Sequence, residues 1–224
     1  MKIHLAFDVY GTLVDPQGMV DHLRADAGEQ ADQVSQLWRQ KQLEFAFRRG
    51  LMRMYEDFGI CTRQALRYAM ASYGFDLEPA REEDLMQAYL SLPAFADAGP
   101  ALASLNGYHP CYAFSNGSHP ALEKVLGHNR LLEYLDGLVS VDDIKSFKPD
   151  PAVYAHARRA TGAMDEPLCL ISSNGWDVIG ARASGLMAIW VQRDPVTVFE
   201  DWGLAPTAII RSLQELPDTL ARFD

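Results

Sequence analysis

The chain has few cysteines, a deficit of basic residues and no long apolar run, and each shortage removes a class of protein. Cys61, Cys111 and Cys169 are its three cysteines in 224 residues. Their wide spacing makes neither a disulfide framework nor a zinc site, so the expectation is a reducing, cytoplasmic setting. Cys111 and Cys169 fall in apolar, strand-like runs and read as inert core residues. Against 30 acidic residues stand 20 lysines and arginines, a formal charge of -10. Sequence-independent nucleic-acid binding needs basic side chains to neutralise phosphates, and this balance argues against it. No stretch approaches the roughly 18 apolar residues that a membrane span requires, and no signal peptide is expected ahead of the first strand. Repeats, low-complexity tracts and long charge runs are also missing.

What is present is patterned. With 48% hydrophobic and 22% charged residues, the chain can build one sizeable core and a smaller attached domain. Ile3-His4-Leu5-Ala6-Phe7 has the length and apolarity of a buried parallel strand, and Gly11 and Thr12 read as a tight turn past its carboxyl end. Between about Asp15 and Leu92 strand signals stop. Val34, Leu37, Trp38 and Phe45 repeat at helical spacing, as do Ala65, Leu66, Ala69, Met70 and Tyr73, then Leu85, Tyr89 and Leu92. From about residue 96 strands and helices alternate, with strand candidates at Cys111–Phe114, Leu138–Val141, Leu168–Ile171, Ala188–Val191 and Ala208–Ile210. Asp150-Pro151 reads as an N-cap with proline at the first helical position. Gly127, Gly162 and Gly185 read as helix stops, and Ser212-x-x-Glu215 has the spacing of a capping box. The expected fold is α/β: a Rossmann-like parallel sheet core from residues 1–14 and 96–224, with a helical cap subdomain, residues 15–95, inserted into it. The crevice between core and cap is the expected site.

The chemistry-bearing residues follow strand ends. Asp8 closes the first strand, and Tyr10 stands two positions later. Ser115-Asn116-Gly117-Ser118 follows the strand ending at Phe114 and leads into a helix, where the Ser115 hydroxyl and backbone amides can hold an anion. Lys148 sits in Phe147-Lys148-Pro149-Asp150-Pro151, stiffened by two prolines just ahead of a helix. There a lysine can bind a substrate anion and keep a neighbouring aspartate ionised. Ser172-Ser173-Asn174-Gly175-Trp176-Asp177 follows the strand Leu168–Ile171 and adds a further carboxylate, Asp177. In the helical segment, Trp38-Arg39-Gln40-Lys41-Gln42-Leu43 places an arginine beside an aromatic on an amphipathic helix.

Asp8-Val9-Tyr10-Gly11-Thr12-Leu13 resembles the nucleophile motif of the haloacid dehalogenase superfamily. Most superfamily phosphatases carry, two residues after the nucleophile, an aspartate that protonates the leaving alcohol. Here that position is Tyr10. A departing halide needs no proton, only charge stabilisation, so the substitution favours chemistry at carbon. The phosphatases also place a magnesium-binding aspartate where this chain has Ser173, and a neutral serine removes that hard-cation ligand. The expectation is a site with no metal and no cofactor.

Five motifs in order, those beginning at Asp8, Trp38, Ser115, Lys148 and Ser172, resemble the (S)-2-haloacid dehalogenases over nearly the whole chain. By that resemblance Asp8 is the nucleophile, forming an ester at C2 with inversion, which water then hydrolyses to an (R)-2-hydroxyacid. The resemblance implies that Thr12, Ser172, Asn174 and Asp177 position Asp8, Lys148 and the water, while Lys148 and Ser115 hold the substrate carboxylate. Arg39, Asn116 and Trp176 would cradle the halide. Tyr10 and Tyr154 match further site tyrosines, and Gln40, Leu43 and Phe58 match positions around the substrate's alkyl part. The implied partners are a small haloacid, a halide ion and, for the chain itself, a second copy in a homodimer. The alternatives are a hydrolase of the same fold acting on another small carboxylate, a phosphatase lacking the usual acid, and a non-catalytic binding protein that kept the fold.

Overall fold

A parallel sheet of six strands is laid out around the first one. In the computed structural model, which describes residues 2–223, the strands are β1 (His4–Phe7), β2 (Cys111–Ser115), β3 (Gly137–Ser140), β4 (Leu168–Ser172), β5 (Met187–Val191) and β6 (Ala208–Ile210). They lie side by side in the order β3-β2-β1-β4-β5-β6. Leu5 pairs with Cys111 on one side and Cys169 on the other. Every residue of β1 and β4 is buried, which is why both read as near-continuous apolar runs rather than alternating ones. The chain leaves β1 toward β2 on one flank and later takes up β4 on the other. The carboxyl ends of β1, β2 and β4 therefore surround the switch point of the sheet, where open α/β folds bind ligands.

Four helices, α1 (Met19–Ala27), α2 (Ala31–Met52), α3 (Phe58–Ser72) and α4 (Pro79–Tyr89), come between β1 and the rest of the sheet. The chain enters and leaves this segment through one narrow neck. Val14 bridges Ala94 antiparallel, the Asp15 amide donates to Pro93 O at 2.9 Å, and the Phe95 amide donates to Leu13 O at 2.9 Å. α2 packs along α3, each presenting a stripe at helical spacing: Ala31, Val34, Ser35, Trp38, Gln42 and Ala46 on α2, and Phe58, Cys61, Thr62, Ala65, Leu66, Ala69 and Met70 on α3. The α2 stripe includes polar members, and two of them are paired across to α3. Trp38 Nε1 donates to Thr62 O at 2.8 Å, and Gln42 Nε2 donates to Thr62 Oγ1 at 2.6 Å.

The alternating part supplies α5 (Ala98–Leu105), α6 (His119–His128), α7 (Pro151–Ala160), α8 (Gly175–Ala183) and α9 (Leu216–Leu220). The Asp150 carboxylate accepts the Ala152 amide at 2.9 Å with Pro151 opening α7. The capping box at Ser212 and Glu215 is present, and it opens a 3-10 turn that runs on into α9. Gly162 and Gly185 adopt the left-handed φ expected of helix stops, 72° and 77°. Gly127 does not: α6 continues to His128, and the left-handed position falls on Arg130 at φ 54°. All three cysteines are buried and free. Burial pushes the Cys111 and Cys169 thiols up to about 12, so both stay protonated and unreactive at neutral pH.

One glycine carries a structural demand that sequence reading missed. A Cβ on Gly180 in α8 would collide with the Tyr154 hydroxyl and lie 2.7 Å from Pro149 Cβ. Only glycine lets the Tyr154 ring tuck beneath α8. Gly180→Ala is expected to lower stability by about 1–3 kcal/mol, read as a reduced denaturation midpoint in urea. An unchanged midpoint would show that Tyr154 relaxes freely.

Candidate active site

Asp8 follows β1 directly, and its amide donates to Ile171 O on β4 at 2.9 Å, so the carboxylate emerges between two buried strands. Its Oδ2 accepts from Thr12 Oγ1 at 3.0 Å, Asn174 Nδ2 at 2.7 Å and Ser172 Oγ at 3.3 Å. Its Oδ1 accepts from Lys148 Nζ at 3.2 Å. Three neutral donors, one from the loop after β1 and two from the end of β4 and the turn beyond it, fix one oxygen, and a cation faces the other. The loop after β1 is held in turn by Ser173, whose amide donates to Thr12 Oγ1 at 2.9 Å and whose hydroxyl donates to Gly11 O at 2.6 Å.

Lys148 is buried to 1% exposure. Its ammonium donates to Asp8, to Phe114 O at 2.8 Å and to Asp177 Oδ2 at 2.8 Å, and sits 4.0 Å from the centroid of the Phe114 ring. Burial works against its charge, but Asp177 and Asp8 outweigh it and raise the ammonium above its ordinary value. Asp177 is fully buried; burial pushes its carboxyl up, Lys148 opposes that shift and the Asp8 charge adds to it. The Tyr154 hydroxyl donates to Asp177 Oδ1 at 2.8 Å. Burial, then the charge of Asp177, raises this phenol well above the usual range, so it remains a donor. The Asn116 side chain accepts the Lys148 amide at 2.9 Å, fixing the loop that carries the lysine.

With three N–H groups and three acceptors, the ammonium has no hydrogen left for a substrate carboxylate in this arrangement. Its influence on a bound anion is one of charge. Ser115 differs: its oxygen accepts the Gly117 amide at 3.1 Å, which leaves its own proton free to donate.

From the helical segment, Arg39 on α2 reaches back to the sheet. Its Nη2 donates to Tyr10 O at 3.1 Å and its Nη1 to Gln42 Oε1 at 2.7 Å. Gln42 is fixed by Thr62 and by the Tyr89 hydroxyl at 3.0 Å. Tyr10 packs against Tyr89 at 5.2 Å between centroids and against Phe58 at 6.2 Å. Burial raises its phenol far above the ordinary value, so it is neutral. Asp8, Tyr10, Arg39, Leu43, Phe58, Ser115, Asn116, Asn174 and Trp176 line one small pocket. Tyr10 and Phe58 also line an adjoining cleft of about 410 Å³, and so form the partition between the pocket and that cleft.

Gln40 does not join them, because its side chain is exposed to solvent. One residue on from Arg39, it is turned about 100° around the helix, whereas Gln42 and Leu43, three and four residues on, share the face of Arg39. Gln42 and Tyr89 were missed. Their signal was the spacing from Arg39 for the first and membership of the α4 apolar stripe for the second. Among the described residues, no group of three or more histidine, cysteine or carboxylate side chains is placed to hold a metal ion.

The family model for haloacid dehalogenase-like hydrolases matches residues 4–185. The chain belongs to this family. Within it, the chain is similar to an (S)-2-haloacid dehalogenase from Pseudomonas putida, 36% identical over 217 residues and covering 96% of this chain and 95% of that one. One from Xanthobacter autotrophicus is 32% identical over 235 residues, covering 95% and 92%. Among solved structures of haloacid dehalogenase-like hydrolases, an L-2-haloacid dehalogenase from Xanthobacter autotrophicus superposes with a TM-score of 0.93 at 30% identity over 99% of both chains. The same enzyme with chloropropionic acid covalently bound gives 0.92 at 30% identity over the full length of both.

Proposed function

We propose that the protein hydrolyses the carbon-halogen bond of short-chain (S)-2-haloacids, giving (R)-2-hydroxyacids through an ester of Asp8. The observation that carries this reading is that Asp8 and Arg39 face one pocket, with a tyrosine where phosphoryl chemistry needs an acid. In the first step an Asp8 oxygen attacks C2 from the side opposite the halogen. The C–O bond forms as the C–X bond breaks, and halide leaves with the bonding pair. In the second, water adds to the Asp8 carboxyl carbon and expels the hydroxyacid, so one water is consumed and one halide and one proton are released. Thr12, Ser172 and Asn174 hold the carboxylate for attack, and Asp177, itself held by Tyr154, anchors Lys148, whose ammonium faces Asp8. Ser115 and neighbouring amides receive the substrate carboxylate; Arg39, Asn116 and Trp176 receive the halide; Tyr10, Leu43 and Phe58 surround the alkyl part. Residues 15–95 act as the cap and the remainder as the core. Ser173 is spent on Gly11 and Thr12, and no step calls for a metal ion.

Halide release from each enantiomer of 2-chloropropionate, with a chelator present, tests the reaction. Release from the (S) form alone is expected. Silence toward both, with magnesium-dependent phosphate release from small esters, would overturn it. Arg39→Ala is expected to fold and to lose roughly 10²–10³ in kcat, the usual size of a lost leaving-group stabiliser; near-normal turnover would remove the halide role.

The same reading takes the chain as a homodimer. Leu51 and Met52 at the end of α2 and Met54 just beyond it are 87%, 58% and 59% exposed, apolar side chains left for a second copy to cover. Among the described residues no helix is long and apolar enough to cross a membrane.

A further inference from the structure

Arg193 stands two residues beyond β5 and touches no part of the pocket, yet it binds the nucleophile loop. Its Nη2 donates to Thr12 O at 2.6 Å. Its Nη1 donates to the two oxygens of Asp97 at 2.9 and 2.7 Å, and the guanidinium carbon lies 4.0 Å from the Phe95 ring centroid. Asp97 also accepts the Ser212 hydroxyl at 2.9 Å and the Leu213 amide at 2.9 Å. Burial alone would raise the Asp97 carboxyl, but these donors together hold it below its ordinary value and keep it ionised. Among the described residues Arg193 Nε is buried without a hydrogen-bond partner, so the side chain is held by its two terminal nitrogens alone.

Thr12 is thus gripped from both sides. Ser173 holds its hydroxyl, which donates to Asp8, and Arg193 holds its carbonyl. The arginine also packs on Phe95, whose amide pairs with Leu13 in the neck through which the helical segment is inserted.

We infer that Arg193, anchored by Asp97, is a positioning residue that sets the Thr12 hydroxyl on Asp8 and ties the neck to the nucleophile loop. The inference rests on the dehalogenase reading of Asp8. The test is steady-state kinetics on (S)-2-chloropropionate for the wild type, Arg193→Met, Arg193→Lys and Asp97→Asn. Arg81→Met, which removes the Arg81–Asp26 ion pair between α4 and α1, serves as the control. Misplacing a carboxylate by a fraction of an ångström is expected to lower kcat roughly 10- to 100-fold in Arg193→Met. KM should stay within about threefold, because the pocket lining is untouched. Arg193→Lys, which keeps a donor for Thr12 O, should regain part of the loss, and Arg81→Met should keep its kcat. If Arg193→Met does not fold, Asp97→Asn carries the same comparison. A folded Arg193→Met with kcat within about twofold of an active wild type, or a loss confined to KM, or one equalled by Arg81→Met, overturns this proposal alone. A wild type that releases no halide overturns the dehalogenase reading and this proposal with it.

Discussion

Asp8→Asn ends halide release while the protein stays folded. The side chains are nearly the same shape, so packing is preserved, but a neutral amide lacks the nucleophilic carboxylate pair. Losing the nucleophile of a covalent mechanism is expected to cost roughly 10⁴-fold or more in kcat. The fold survives because Lys148 keeps Asp177 and Phe114 O as acceptors, and the three neutral donors on Oδ2 can still meet the amide oxygen. The remaining mismatch is an amide NH₂ facing the lysine, worth about 1–2 kcal/mol. Intact-mass measurement after mixing with (S)-2-chloropropionate should show no adduct. An adduct of ester mass would place the nucleophile elsewhere.

Lys148→Met has a second, different signature, in which stability and activity fall together. The substitution leaves Asp177, at 0% exposure, as a buried carboxylate whose cation is gone, with only the Tyr154 hydroxyl bonded to it. Breaking a buried ion pair by removing one member costs about 3–5 kcal/mol. The pH dependence comes from the direction of each shift. In the wild type the lysine's value is raised by folding, so its contribution is fully present below the ordinary lysine range and is lost only as pH rises through the folded value. In the variant, Asp177 can relieve its burial by taking a proton, as its own raised tendency indicates. The stability gap between wild type and Lys148→Met should therefore shrink as pH falls from neutral to about 4. Urea unfolding at several pH values measures it, and a gap that widens toward acid would contradict the assignment of Asp177 as the paired carboxylate. Halide release should be lost at every pH at which the variant folds.

The parts of this molecule legible in the sequence are those set by local pattern. β1 and β4 announce themselves because a strand buried on both faces is apolar nearly throughout, and Asp8 and Ser172 are placed by standing where those runs stop. Asp150 and Ser212 cap the helical turns beginning just after them through contacts two to three residues long. The illegible parts depend on partners far away in sequence. Gln40 and Gln42 differ in sequence only by their helical phase relative to Arg39; α2 turns one toward water and the other toward Thr62 and Tyr89. Gly180 looks like any helical glycine until Tyr154, 26 residues earlier, is found against it. Lys148 reads in the sequence as a direct binder of substrate, but its three hydrogens are taken by acceptors at the ends of β1 and β2 and in the first turn of α8. Arg193 carries no motif at all, since its meaning lies in Thr12 and Asp97, each about a hundred residues or more away. Gly127 reads as the stop of α6, and the helix runs one residue past it because Asn129 and Arg130 supply the terminus.

The central claim is that Asp8 is esterified and that water attacks the enzyme's own carboxyl carbon rather than the substrate. Turnover of (S)-2-chloropropionate in water enriched in oxygen-18, with mass analysis of the peptide carrying Asp8, tests it most directly. After many turnovers the label should be in the Asp8 carboxylate, and the product of a single turnover should carry unlabelled oxygen from the enzyme. Label in the first-turnover product with none in Asp8 would mean that water attacks C2 directly and that Asp8 serves only as a base.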